Sequence, residues 1–153
     1  MVSYQLEDWE TFVQDGQELW QKQNIAVGFP GWEPKPNHPL YEFLDSSGLL
    51  QIMTLRLDGE LIGYCIMTLQ LHSHYVDKVC AMEDSIYVDR DKCSGLTLMV
   101  RYRQLLRNTL EALRERSVVR VFFNSRVADR FLPRVLQGFQ FQAIDTIYTR
   151  ELS

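Results

Sequence analysis

The stretch Met82–Leu106, MEDSIYVDRDKCSGLTLMVRYRQLL, changes character halfway along its length. Its first part is apolar and β-prone up to Val88, its middle is a short polar turn with one glycine, and its last part repeats apolar residues every three or four positions. That is a strand, a tight turn and a helix. A helix beginning just beyond a strand presents unpaired N–H groups and a partial positive charge, so Val88 to Thr97 suits an anion such as a phosphate. Strand-to-helix turns occur in every α/β protein, so the elements around this one decide what it means.

Working outward, LLQIMTLRL (49–57) and ELIGYCIMTLQL (60–71) flank Asp58-Gly59. Two apolar runs around this dipeptide predict a hairpin, because both residues tolerate the positive φ of a tight turn. After the polar bend HSHYVDK, VCAMEDSIYV (79–88) supplies a third antiparallel strand. From Gly95 to Arg116 the apolar positions follow helical spacing with arginines between them, and SVVRVFF (117–123) is again a strand. A strand, a crossover helix and a strand predict a parallel pair with a right-handed connection.

SRVADRFLPRVLQGF (125–139) reads as a second helix, capped by Ser125, ended by Gly138 and bent at Pro133. FQAIDTIYTREL (141–152) reads as a closing strand. At the other end, Leu6, Trp9, Phe12, Val13, Leu19 and Trp20 predict one or two amphipathic helices over 4–24, capped by Asp8 or Ser3, with a break near Asp15-Gly16. FPGWEPKPNHP (29–39) holds four of the five prolines and cannot be regular structure, so it is read as an ordered loop anchored by Trp32. Tyr41–Leu44 is a short helical turn.

With 153 residues and 46% hydrophobic content, the chain suits a single domain, residues 1–40 being helices and loop and residues 41–152 the core. No apolar run approaches the roughly 20 residues of a membrane span, and no leader pattern opens the chain, which predicts a cytoplasmic protein. Cys65, Cys80 and Cys93 lack metal or disulfide spacing, so no metal is expected. Residues 1–85 carry 13 acids and 4 bases, and residues 86–153 carry 7 acids and 12 bases. A basic second half attracts nucleic acid or a polyphosphate cofactor; equally, its arginines are the wet faces of amphipathic helices.

The order of elements, and the words in it, resembles the Gcn5-related N-acetyltransferases (GNAT). In that family an [Arg/Gln]-x-x-Gly-x-[Gly/Ala] loop follows the fourth strand, and its amides hold the pyrophosphate of acetyl-coenzyme A. Here the loop is Lys92-Cys93-Ser94-Gly95-Leu96-Thr97. DGELIGYCIM looks like the family's second-to-third-strand hairpin, EDSIYVD like its fourth strand and LQGFQ like the end of its last helix. HSHY, YV and IYTREL are similar to words in small acetyltransferase-like proteins of tailed bacteriophages.

The resemblance implies an α/β (α+β) fold with a mixed, mostly antiparallel sheet of six to seven strands. Helices cover both faces, and a parallel pair splays at the cofactor site. It implies an acetyl-CoA-dependent N-acetyltransferase acting on an amine of a small molecule, protein or modified base. It also implies cofactor contacts at Ile86, Tyr87, Val88, the loop 92–97 and Asn124, although Asn124 is equally a turn cap. Lysine for arginine or glutamine, and threonine for the small residue at 97, depart from the pattern.

Acetyl transfer needs a base for the amine and commonly an acid for the thiolate. Simple alternation puts Asp84 on the face of Ile86 and Val88, and Glu83 on that of Ser85 and Tyr87. A carboxylate among apolar neighbours acquires a raised pKa, and relatives often place an acid at the position of Asp84, which ranks it above Glu83. Either could instead cap or pair with an arginine. The family's tyrosine in the last helix is missing, with Arg134 near its place; Tyr148 is a substitute or a packing residue. His72, His74, Tyr75 and Trp32 are expected to border the acceptor site, or to be exposed polar turn. Cys93, at a helix start, has a reason for a lowered thiol pKa but no histidine partner. The partners so implied are an amine-bearing small molecule or protein, and a second copy of the chain. The rival readings are a catalytically degenerate fold that engages a host or virion protein and, last, a nucleic-acid binder using Arg101, Arg103, Arg107 and Arg114.

Overall fold

The computed structural model describes residues 1–28, 31–33, 35–126 and 129–145. In chain order it comprises β1 (Val2–Glu7), α1 (Trp9–Val27), α2 (His38–Ser46), β2 (Leu50–Leu57), β3 (Glu60–His72), β4 (Tyr75–Val88), α3 (Gly95–Glu115), β5 (Val118–Phe122) and α4 (Leu132–Gln137). Among the described residues the strands form one five-stranded sheet in sequence order. This corrects the expected six to seven strands: residues 141–145 are irregular, and the remainder of the expected closing strand lies outside the described residues.

The start of the chain also differs from its helical reading. Val2–Glu7 pairs antiparallel with β2, and Arg56 of β2 secures it by gripping Glu7 at 2.7 Å and Asp15 of α1 at 2.7 Å. α1 then runs unbroken through Gly16, with the Asp8 carboxylate accepting the Thr11 N–H. Gly16 is tolerated in mid-helix because a Cβ there would lie 2.7 Å from the ring of buried Phe12. Ser3 lies in β1 and caps nothing.

The β2–β3 hairpin turns on Asp58 (φ 52°) and Gly59 (φ 89°), as a two-residue turn demands. β4 starts at Tyr75, so the bend before it is shorter than expected. The helix expected over 125–139 shrinks to Leu132–Gln137. Pro133 has no N–H to give and is accommodated in a first turn, and the Asp129 carboxylate takes the Phe131 N–H at 2.8 Å.

The sheet is covered on both faces. α1 and α2 enclose Trp9, Phe12, Leu19, Tyr41, Ile52, Tyr64 and Ile66, while α3 and α4 enclose Leu55, Ile62, Cys65, Met67, Val88, Leu105, Leu106 and Leu113. β4 and β5 are parallel, as expected, from Val79↔Val118 to Met82↔Phe122. There the pairing stops while β4 continues to Val88, so among the described residues one edge of its last six residues has no strand partner beside the start of α3. No described helix is long and apolar enough to cross a membrane.

Candidate active site

A β-bulge in β4 organises the site. Ser85 pairs with Ile66 and Glu83 with Met67, so Asp84 has no partner on β3 and the alternation resets around it. The faces expected from simple alternation are therefore exchanged. Asp84 joins Ser85 and Tyr87 on the α1/α2 side, where the Tyr41 hydroxyl donates to its carboxylate at 2.8 Å. Glu83 joins Met67 and Cys65 on the α3 side, near the gap between β4 and β5, and accepts the Asn124 N–H at 3.2 Å.

Both carboxylates have raised pKa values, chiefly through burial. For Asp84 the Tyr41 hydrogen bond opposes the rise. For Glu83, burial wins over the Asn124 and Ile86 amides and the charge of Asp84 adds to it, giving about 7. Tyr41 is pushed far upward by burial and by Asp84, so it stays a protonated donor.

Asp84 and Ser85 lie in a cleft of about 500 Å³ bordered by α1 and α2, together with Trp20, Gln23, Asn24, Trp32, Lys35 and Tyr41. Trp32 lines this cleft and is 64% exposed. His72, His74 and Tyr75 stand elsewhere. They cluster at the far tip of the β3–β4 hairpin, with the His72 ring 4.8 Å from Tyr75, and nine strand residues, roughly 30 Å, separate Tyr75 from Asp84. They are not among the residues lining the cleft that holds Asp84. No described group of His, Cys, Asp and Glu could hold a metal. Tyr148 lies outside the described residues.

Gln23 of α1 is a site residue that sequence reasoning missed. Its side-chain oxygen accepts the hydroxyls of Tyr64 and Ser85, each at 2.6 Å, and its amide donates to the Ile86 carbonyl at 3.3 Å. Tyr102 of α3, also missed, accepts the Val88 N–H at 3.2 Å. An isolated glutamine or a core tyrosine carries no spacing signal, since they act on a strand 63 and 14 positions away.

The turn expected to hold an anion forms, with altered roles for its residues. Gly95 adopts φ 54°, a left-handed conformation suited to glycine, and no atom lies within 4 Å of where its Cβ would be. Ser94, Gly95, Leu96 and Thr97 are exposed, and the amides of Gly95, Leu96 and Thr97 make no hydrogen bond among the described residues. Cys93 faces inward and is buried in the core. Lys92 is held at 2.8 Å by Glu60 in the β2–β3 turn. Buried Asp89 pins the turn to α1 through Lys22 at 2.8 Å and accepts the Asp91 N–H at 2.9 Å. Ile86, Tyr87 and Val88 are buried, and the open edge of β4 is occupied by Gln23 at the Ile86 carbonyl and Tyr102 at the Val88 amide.

No family model and no curated protein matches the chain. Solved structures do. A ribosomal-protein-alanine N-acetyltransferase from Brucella melitensis biovar Abortus 2308 superposes with a TM-score of 0.73 at 16% identity, covering 100% of both chains. An aminoglycoside acetyltransferase from an uncultured soil metagenomic sample, in complex with trehalose, gives 0.73 at 10% identity, over 99% of this chain and 95% of that one. AAC(6')-Iy in complex with the bisubstrate analogue CoA-S-monomethyl-acetylneamine gives 0.71 at 13% identity, over 100% and 99%. The fold is thus the one these acetyltransferases share.

Proposed function

We propose that the protein is an acyl-coenzyme A-dependent N-acetyltransferase, with Asp84 as the base that receives the proton of an amine held in the α1/α2 cleft. The observation that carries this reading is the position of Asp84. It sits at the bulge of β4, with a cleft on its own face and, four residues on, the strand's open edge leading to an exposed helix start.

The residues present fit the cofactor. The unpartnered amides of Gly95, Leu96 and Thr97 suit a pyrophosphate and glycine keeps its approach clear, while an amide-bearing arm laid along the edge of β4 would take the places of Gln23 at the Ile86 carbonyl and Tyr102 at the Val88 amide. When bound, acetyl-coenzyme A would supply the acetyl group as a thioester whose carbonyl carbon is the electrophile. Asp84, partly desolvated, accepts a proton from the attacking nitrogen, and Tyr41 aims it. Gln23 holds the neighbouring Ser85 and Ile86 in place. Glu83, on the other side of the sheet, is the weaker candidate for the base.

The experiment is a calorimetric titration with acetyl-coenzyme A, followed by acetylation assays on Asp84→Asn. Micromolar binding and a loss of about 10²-fold or more in kcat, with coenzyme affinity retained, support the reading. Full turnover by Asp84→Asn removes Asp84 as the base, and no binding at millimolar concentration defeats the proposal. A second reading is a fold kept for binding a host or virion protein. It draws support from Lys92 and Lys22, whose charges are spent on Glu60 and Asp89 rather than left for a phosphate.

A further inference from the structure

The acidity of the first half of the chain suggests a polycationic acceptor, but only one of its carboxylates, Asp84, lines the cleft proposed for the amine. Asp15, Glu18, Glu60 and Asp89 line a separate cleft of about 570 Å³ between α1 and the β2–β3 turn. All four are already committed, Asp15 to Arg56, Glu60 to Lys92, and Glu18 and Asp89 to Lys22. The cleft around Asp84 is different. Its described lining contains one carboxylate, Asp84, and one ammonium, Lys35; the lysine ion pairs among the described residues belong to Lys22 and Lys92.

The rest of that lining is aromatic, apolar or amide, apart from Ser85, whose hydroxyl is given to Gln23. Tyr41 stacks on Trp9 with ring centres 4.3 Å apart and planes 11° apart, and Trp20 meets Tyr41 edge-on at 5.5 Å. The wall is therefore rigid and backed by the core, and Trp32 closes it from the loop side. A single carboxylate in a lining that also holds Trp20, Trp32 and Tyr41 matches one ammonium on a flat apolar body, since aromatic rings pack against such a body and attract a cation. A second or third ammonium would meet Lys35 and find no further acid.

We propose that the acceptor is a monocationic amine carried on an aromatic or similarly flat apolar group, an arylalkylamine in chemical class, and not a polyamine or an aminoglycoside. This rests on the cleft assignment of the proposed function but not on cofactor binding. Trp32 is the specificity-determining residue, because it joins the pocket without being part of the folded core.

The test is calorimetric titration of the full chain with 2-phenylethylamine, spermidine and sisomicin, in parallel with acetyl-coenzyme A. We expect 2-phenylethylamine to bind at least about tenfold more tightly than the two polycations, and Trp32→Ala to weaken it about tenfold. The coenzyme titration should be unchanged in that variant. Equal or tighter binding of spermidine or sisomicin, no binding of 2-phenylethylamine, or indifference to Trp32→Ala each overturns the inference. If 2-phenylethylamine binds as expected but acetyl-coenzyme A does not, the cleft assignment stands and the transferase reading falls; the reverse outcome defeats only the acceptor class.

Discussion

Tyr41 and Asp84 are joined hydroxyl to carboxylate across 2.8 Å, tying the first turn of α2 to the bulge of β4. The donor stabilises the charged form of a carboxylate that burial has pushed upward. Tyr41→Phe keeps the stack on Trp9 and removes only the donor. The Asp84 pKa must then rise further, so the base is protonated at a higher pH. We expect the acid limb of the pH–rate profile to move upward, with a several-fold loss of kcat/KM on that limb that recovers on the alkaline plateau. An unshifted limb would separate Asp84 from the rate.

Glu83 makes a prediction about folding. Its pKa is about 7 in the folded chain against an ordinary value of 4.5, so between these values the native state binds the proton more strongly than the unfolded state does. The sign follows: stability linked to Glu83 is fully present below about pH 4.5 and is lost as pH rises through about 7. Glu83→Gln removes the ionisation and still offers an oxygen to the Asn124 N–H. The variant should be more stable than wild type at pH 8 by about 1–3 kcal/mol, and matched at pH 4. Thermal melts across that range, giving a difference of several degrees that closes on acidification, check this. Parallel curves for the two proteins would refute it.

Much of the frame was legible because local rules suffice for it. Asp58-Gly59, the apolar runs around it and the spacing from Gly95 onward each specify an element without help from distant residues. The candidate site was less legible because it depends on one extra residue. A bulge cannot be seen in period-2 alternation, and a single unpaired position exchanges the faces of Asp84 and Glu83. The first strand was hidden for a related reason: Leu6, Trp9 and Phe12 fall at spacings of three, yet Leu6 belongs to β1 and the other two to α1. Tyr41 and Gln23 were invisible as site residues because the backbone crossings that bring them to β4 are tertiary.

Lys92 occupies the place where the family pattern has arginine or glutamine, yet its ammonium is 2.8 Å from Glu60 and largely in solvent. An exposed pair of this kind contributes little to stability, and its charge is not aimed at the turn's amides. Lys92→Ala should therefore change coenzyme affinity by less than about threefold, a difference of under about 0.7 kcal/mol. A tenfold loss in calorimetric affinity would show that the lysine leaves Glu60 to bind phosphate.

Gly95 combines a stability requirement with a binding one, and the two can be separated. At φ 54° an alanine pays for a left-handed backbone, about 1 kcal/mol, although no protein atom obstructs its Cβ. Gly95→Ala should thus lower the melting temperature by only about 2–4 °C. The same Cβ stands beside the exposed amides of Leu96 and Thr97, where a pyrophosphate would sit, so coenzyme affinity should fall far more than stability, by about tenfold or greater. Melts and titrations on one preparation distinguish the effects. A variant that loses the expected few degrees yet binds acetyl-coenzyme A as tightly as wild type would place the pyrophosphate away from this turn.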